Sequence, residues 1–209
     1  MKRFWSYAGV AASVVLIVIG VVAIVAAASG RSEVRGDIKR EAVVGTADMT
    51  PQAIKAEAQK AGLKAVSLPS CSVANKTIQT GSQAKCFASY MRIHALEGTG
   101  GKTYAELPRY ASKDGKGTDD AKAALTNNGN PVNNPLRDLW TQEFALTTAL
   151  NTSYFAEQVS LFSLAMGIAL LLSGIGFLVL TVRLLAPATR REEASRETAA
   201  VTTVPAASH

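Results

Sequence analysis

The chain has 209 residues, 48% of them hydrophobic but only 6% aromatic, and a net charge of +6. That length admits one domain of ordinary size, or a smaller one with membrane spans. The charge is spread as +2 over residues 1–29, +3 over 30–160 (sixteen Lys and Arg against thirteen Asp and Glu) and +1 over 161–209. None of these segments has the dense basic patch with interleaved aromatics that a nucleic-acid surface needs.

Residues 1–6 are a short start carrying Lys2 and Arg3, and are expected to lie in the cytoplasm. Residues 7–29 (YAGVAASVVLIVIGVVAIVAAAS) and 161–182 (LFSLAMGIALLLSGIGFLVLTV) contain no Asp, Glu, Lys, Arg or His. At about 1.5 Å per residue each spans roughly the 30 Å hydrocarbon core, so both are expected to be transmembrane helices in contact with lipid. Lys2, Arg3 and the small residues at 26–29 are features shared with a signal peptide. The apolar run is longer than the roughly 7–15 residues of a cleavable one, which favours an uncleaved anchor.

Arg31, Arg35, Lys39 and Arg40 follow the first span and taken alone argue for the opposite orientation. A loop longer than about 60 residues, however, translocates largely regardless of charge. Arg183, Arg190, Arg191 and Arg196 follow the second span closely. Both termini are therefore expected inside, with residues 30–160 outside.

Within 30–160, Arg31 to Met49 reads as an extended lead-in. Thr50 and Pro51 form an N-cap and first-turn proline, predicting a short helix that Gly62 ends. Residues 63–68 (LKAVSL) suggest a strand stopped by Pro69. Cys71 and Cys86 lie in the loop assigned outside, where an oxidising compartment allows a disulfide worth about 3 kcal/mol. The alternatives are two separate thiols or a zinc site, the latter short of ligands because only His94 is near in sequence. From Cys86 a helix is expected to Glu97, then the turn GTGG with Gly98, Gly100 and Gly101, then a short helix opened by the capping-box pattern at Thr103. Residues 108–135 are polar and turn-rich, with a possible helical turn in DDAKAAL. Asn134 and Pro135 then begin a helix whose apolar side is read as Leu136, Trp140, Phe144, Thr147, Leu150 and Tyr154. Unbroken to Leu185, it would be a stalk of about 75 Å. The tail, residues 183–209, lacks an apolar face and is expected to be disordered and cytoplasmic.

GTGGKT resembles the end of a phosphate-binding loop, but position 96 is Leu where the pattern needs Gly, and a helix rather than a strand is expected before it. No nucleotide, cofactor or metal site is expected. The two histidines, His94 and His209, are too few outside the membrane for a two-histidine iron triad, and no enzyme activity is expected. Asn75 and Asn151 begin glycosylation sequons, read as chance. Ala165, Ala169, Ser173 and Gly176 form a small-residue stripe on the second span, and Gly9 and Ser13 begin one on the first; such stripes let helices approach closely in lipid, and their first use is expected to be packing the two spans on each other.

Cys71, Cys86, the block HALEGTGGKTYAEL from His94 to Leu107, and the run from Asn151 to Leu180 resemble a family of small actinobacterial two-span membrane proteins commonly labelled "aromatic ring-opening dioxygenase". Gly98 stands where alanine is more usual, the region before Cys71 is longer, and residues 108–135 look like an insertion. The resemblance implies two spans with one exterior loop, Cys71 paired with Cys86, and Gly100 and Gly101 in a tight turn. It also implies that the block folds against its preceding helix under the disulfide.

The fold class expected is mainly α: two transmembrane helices, a disulfide-clamped helical exterior domain, and a second helix extended as a stalk. The expected function is association, as an accessory or scaffolding subunit in a homo-oligomer or larger membrane complex. The alternative is a small-ligand or lipid receptor using Tyr90, Tyr104, Tyr110 and Trp140.

Overall fold

A computed structural model describes residues 2–64 and 66–202, with side chains between 7 and 183. Its elements run α1 (Lys2–Arg40), α2 (Pro51–Lys60), α3 (Gly81–Gly98), a 3-10 turn (Tyr104–Glu106), β1 (Thr126–Asn127), β2 (Asn130–Pro131) and α4 (Pro135–Thr202). The fold is mainly helical, and α1 and α4 each contain a stretch long and apolar enough to cross a membrane. The chain divides into two compact units, residues 1–29 with 160–209, and residues 30–159.

In the first unit the two apolar segments pack antiparallel on a repeat of seven. Ser13, Gly20 and Ala27 are buried on α1, and Gly167 and Gly174 on α4. A Cβ on Gly20 would lie 2.7 Å from the Leu171 nitrogen, and one on Gly167 would lie 2.9 Å from the Gly20 carbonyl oxygen. Only glycine permits that approach. The seven-residue spacing keeps one seam facing its partner along both helices, and small residues at the seam are how helices associate where lipid removes the hydrophobic drive. The Ser13 hydroxyl is satisfied by donating to the Gly9 carbonyl at 2.8 Å.

The tail expected to be disordered continues as α4 to Thr202, and residues 203–209 lie outside the described residues. Ala, Glu and Arg dominate 190–200 and are strong helix formers.

In the second unit, α1 remains helical to Arg40 where an extended lead-in is expected. Val34 and Ile38 supply the apolar side that keeps it there, Ile38 being buried and Val34 packed against the core. Thr50 caps α2 by accepting the Ala53 N–H at 3.2 Å, and Gly62 at φ +67° turns the chain out of it. The strand expected at 63–68 does not form in its described residues; Leu63 and Val66 pack on the core from irregular backbone. α3 starts earlier than its apolar pattern suggests, because Thr80 accepts the Gln83 N–H and the Gln83 side chain accepts the Gln79 N–H. Ile54, Ile78, Tyr90 and Ile93 form the centre of the core and are each at most 1% exposed. Burying a side chain of this size stabilises by about 1.5–3 kcal/mol.

The Cys71–Cys86 disulfide forms, with Cα atoms 6.1 Å apart, and the buried Tyr90 donates its hydroxyl to the Cys71 carbonyl at 2.6 Å. The segment before α3 is thus tied to that helix twice. Residues 108–134 contain a hairpin whose turn, Asn128 and Gly129 at φ +51° and +80°, is the type favoured by Asn-Gly. Asn134 caps α4, accepting the Leu136 N–H at 3.0 Å, while its amide donates to the Pro108 carbonyl. The buried side of α4 in this unit is Trp140, Glu143, Leu150 and Glu157, with Phe144 68% exposed. The sequence reading placed Phe144 inward. A glutamate takes the neighbouring inward position because Thr147 donates to it at 2.9 Å and Arg92 lies 3.4 Å from it.

Candidate functional site

Four features of the second unit bear on function: the glycine turn, a charged hub at Glu157, an apolar groove, and a cluster of donor atoms between α2 and α3.

α3 ends in a Schellman arrangement. Gly100 and Gly101 take φ +62° and +80°, the Gly101 N–H donates to the Leu96 carbonyl at 2.7 Å and the Gly100 N–H to that of Glu97 at 3.2 Å. Gly98 is the last residue of α3. The Thr99 hydroxyl donates to the Lys102 carbonyl at 2.6 Å, and so does the Trp140 indole at 2.9 Å. Ala95, Leu107 and Trp140 form a small core of their own beneath the turn. The turn's backbone groups are therefore spent on holding the chain, and a helix precedes it. The resemblance implies that the disulfide clamps this block, but Trp140 of α4 holds it.

Glu157 is 4% exposed at its side chain and accepts from three residues. The Gly81 N–H at the start of α3 donates at 2.6 Å, Arg31 Nε at 3.0 Å and Arg35 Nε at 2.7 Å. Burial pushes this carboxyl up, but the Gly81 N–H and the two guanidiniums outweigh it and hold it below its ordinary value. Glycine is needed at 81, since a Cβ there would lie 2.8 Å from the Tyr154 Cα. Arg31 and Arg35, read from sequence as flanking charges, have a structural partner. Nothing in local spacing could have paired them with a residue more than 120 positions away.

A groove of 430 Å³ is lined by Arg92, Thr103, Tyr104, Ala105, Trp140, Thr141 and Phe144. Arg92 stacks over the Trp140 ring at 4.1 Å and Arg137 over Tyr104 at 4.1 Å. Of the aromatic residues expected to line a ligand site, Tyr104 and Trp140 meet here. Tyr90 is in the core, and Tyr110 lines a separate polar depression beside Tyr104.

Asp48, Glu57 and His94 each bring one possible ligand atom to within 4.8 Å of the others. The sequence reading counted only His94 as near enough to Cys71 and Cys86 for a metal set. It missed the carboxylates because Asp48 precedes α2, Glu57 lies on it and His94 is on α3, and only helix packing joins them. Glu97, three residues along α3, brings a carboxylate oxygen to 3.9 Å from His94 Nδ1.

In the first unit the predicted packing residues separate into two groups. Gly9 and Ser13 lie at the seam, where a Cβ on Gly9 would meet Thr181 at 2.9 Å and one on Gly174 would meet the Ser13 carbonyl oxygen at 3.0 Å. Ala165, Ala169, Ser173 and Gly176 are all exposed, and a Cβ on Gly176 would meet nothing within 4 Å. At about 100° per residue their mean direction is roughly opposite that of Gly167 and Gly174. The seam uses the other small residues of the same helix.

Comparison with protein-family models, with curated proteins and with solved structures finds no match to this chain.

Proposed function

We propose that this chain is a two-pass bacterial plasma-membrane protein of the two-span family it resembles, and that it acts by association, as a non-enzymatic accessory or scaffolding subunit. Both termini lie in the cytoplasm and residues 30–160 outside. The Cys71–Cys86 disulfide supports an oxidising compartment for that region, and the arginines after residue 182 support cytoplasmic placement of the C-terminal end.

The observation that carries association is the stripe Ala165, Ala169, Ser173 and Gly176, exposed on the side of α4 away from its seam with α1. A small-residue stripe lets another helix approach closely in lipid. With the intrachain seam built from Gly167 and Gly174, this second stripe remains for another helix, from a second copy or a different subunit.

Cysteine placed at Ala169 or Gly176 and oxidised in native membranes tests this. Crosslinks at both, with none at the exposed Ile175 to the side of the stripe, are expected. Equal crosslinking at all three positions, together with a monomer by native mass spectrometry in mild detergents, would contradict it.

A second reading, capture of a small apolar or lipid-like ligand, is favoured by the groove between Tyr104, Trp140 and Phe144. Lipid retained by the purified protein and lost in Trp140→Ala at unchanged helicity would support it. A Trp140 emission spectrum unmoved by added lipid would argue against it.

A further inference from the structure

We propose that Asp48, Glu57 and His94 bind one divalent first-row transition cation of zinc's chemical class. The three donors converge because the fold brings separate stretches together. Asp48 sits in the tight turn before α2, where the Met49 N–H donates to the Thr46 carbonyl at 3.1 Å. The buried Met49 and Ile54 anchor the end of that turn and the start of α2 to the core. Glu57 lies on α2 and His94 on α3, and these two helices pack together.

The spacing suits a metal better than a proton. His94 Nε2 and Asp48 Oδ2 are 3.4 Å apart. With metal–ligand bonds of about 2.0–2.2 Å, the edge of a tetrahedron is roughly 3.4 Å, so this pair already stands at ligand separation. All three donors lie within 4.8 Å, and closing to that edge is a movement of about 1 Å or so, within reach of side-chain torsions. A proton on Nε2 would serve at most one carboxylate, and the 3.4 Å contact does not have hydrogen-bond geometry.

A second observation is independent of that spacing. Asp48 Oδ1, Glu57 Oε2 and His94 Nε2 are shielded from solvent and have no hydrogen-bond partner. They are three of the four side-chain atoms of this kind among the described residues, the fourth being Arg137 Nε. Shielded polar atoms are overwhelmingly paired in folded proteins, and one orphan on each of the three clustered residues calls for a common partner. Two carboxylates and an imidazole form a donor set whose charge a divalent ion would balance.

The donor set narrows the ion. One imidazole with two carboxylates and no thiolate suits zinc, manganese or ferrous iron, and both cysteines are committed to their disulfide. Three protein ligands leave a position for water. Glu97 faces the other ring nitrogen of His94 at 3.9 Å, the side from which an outer carboxylate orients a ligating histidine. It is a positioning residue.

The full-length protein, purified in mild detergent without an affinity tag and stripped with EDTA, is titrated with Zn²⁺ alone by calorimetry, with bound metal counted by mass spectrometry. About one zinc per chain is expected, and X-ray absorption should show nitrogen and oxygen neighbours only, with one imidazole. His94→Gln and the isosteric Asp48→Asn should each weaken binding at least about 100-fold, and Glu97→Gln roughly 10-fold. His209→Ala should leave binding unchanged. Far-UV circular dichroism and an intact disulfide establish that each variant is folded; Asp48→Asn carries the test if His94→Gln is not. No stoichiometric uptake by the wild type, sulfur in the zinc shell, or wild-type affinity in Asp48→Asn would each overturn the site.

Discussion

Glu157→Gln should destabilise the second unit more than any other single isosteric change in it. The carboxylate is 4% exposed and takes the Gly81 N–H, Arg31 and Arg35 at 2.6–3.0 Å. Removing one side of a buried, hydrogen-bonded ion pair costs about 3–5 kcal/mol. Here the guanidiniums are 37% and 35% exposed and regain water, which lowers the figure to about 2–3 kcal/mol. For a unit of about 130 residues that corresponds to a fall in Tm of roughly 6–12 °C.

The pH dependence has a definite sign. The folded carboxyl is held below its ordinary value of 4.5, so its contribution is full above that pH and is lost as pH falls through the lower, folded value. Wild type should lose stability in that acidic window, and Glu157→Gln should lose less of it. Thermal unfolding by near-UV circular dichroism from pH 3 to 7 (about one-unit steps) measures both effects. Arg35→Gln combined with Glu157→Gln should cost less than the sum of the two. A change below about 0.5 kcal/mol at neutral pH, or an unchanged acid limb, would refute the hub.

Gly167→Leu should break the α1–α4 seam and lower helix pairing, because even a Cβ meets the Gly20 carbonyl oxygen at 2.9 Å; Gly176→Leu should leave intrachain pairing intact, as read by a distance probe between the two spans. Replacing Cys71 and Cys86 together by serine should cost about 3 kcal/mol in denaturant unfolding, and a loss smaller than about 1 kcal/mol would mean the Tyr90 tie already fixes that segment. Gly101→Ala, at φ +80°, should cost about 1 kcal/mol or more by the same assay, with Gly98→Ala costing less because residue 98 is helical.

What was legible in the sequence was local. Thr50 with Pro51, Asn134 with Pro135, and the glycines at 62, 100 and 101 each act through backbone groups a few residues away, and their roles follow from residue type. The apolar segments were legible because twenty-odd residues without a charge have few alternatives. The helical stretch from Arg31 to Arg40 was not, since its polarity reads as linker until Glu157 supplies the partner for Arg31 and Arg35. Phe144 and Glu143 exchanged sides for a similar reason: Glu143 is satisfied by Thr147 and Arg92, while the groove leaves Phe144 exposed. The stripe at Ala165 to Gly176 was visible, but a second small-residue set at Gly167 and Gly174 sits on the same helix, and only packing separates their uses. Asp48, Glu57 and His94 span 47 positions and share no motif.

The most direct measurement of the membrane arrangement uses the protein's own cysteines. Intact cells are treated with a reductant and then a maleimide, neither able to cross the membrane, and labelling at Cys71 and Cys86 is counted by mass spectrometry. The two-pass account predicts labelling in intact cells that depends on prior reduction and is matched after lysis. Labelling that appears only once cells are opened, or that needs no reduction, would contradict an exterior, disulfide-clamped domain between two spans.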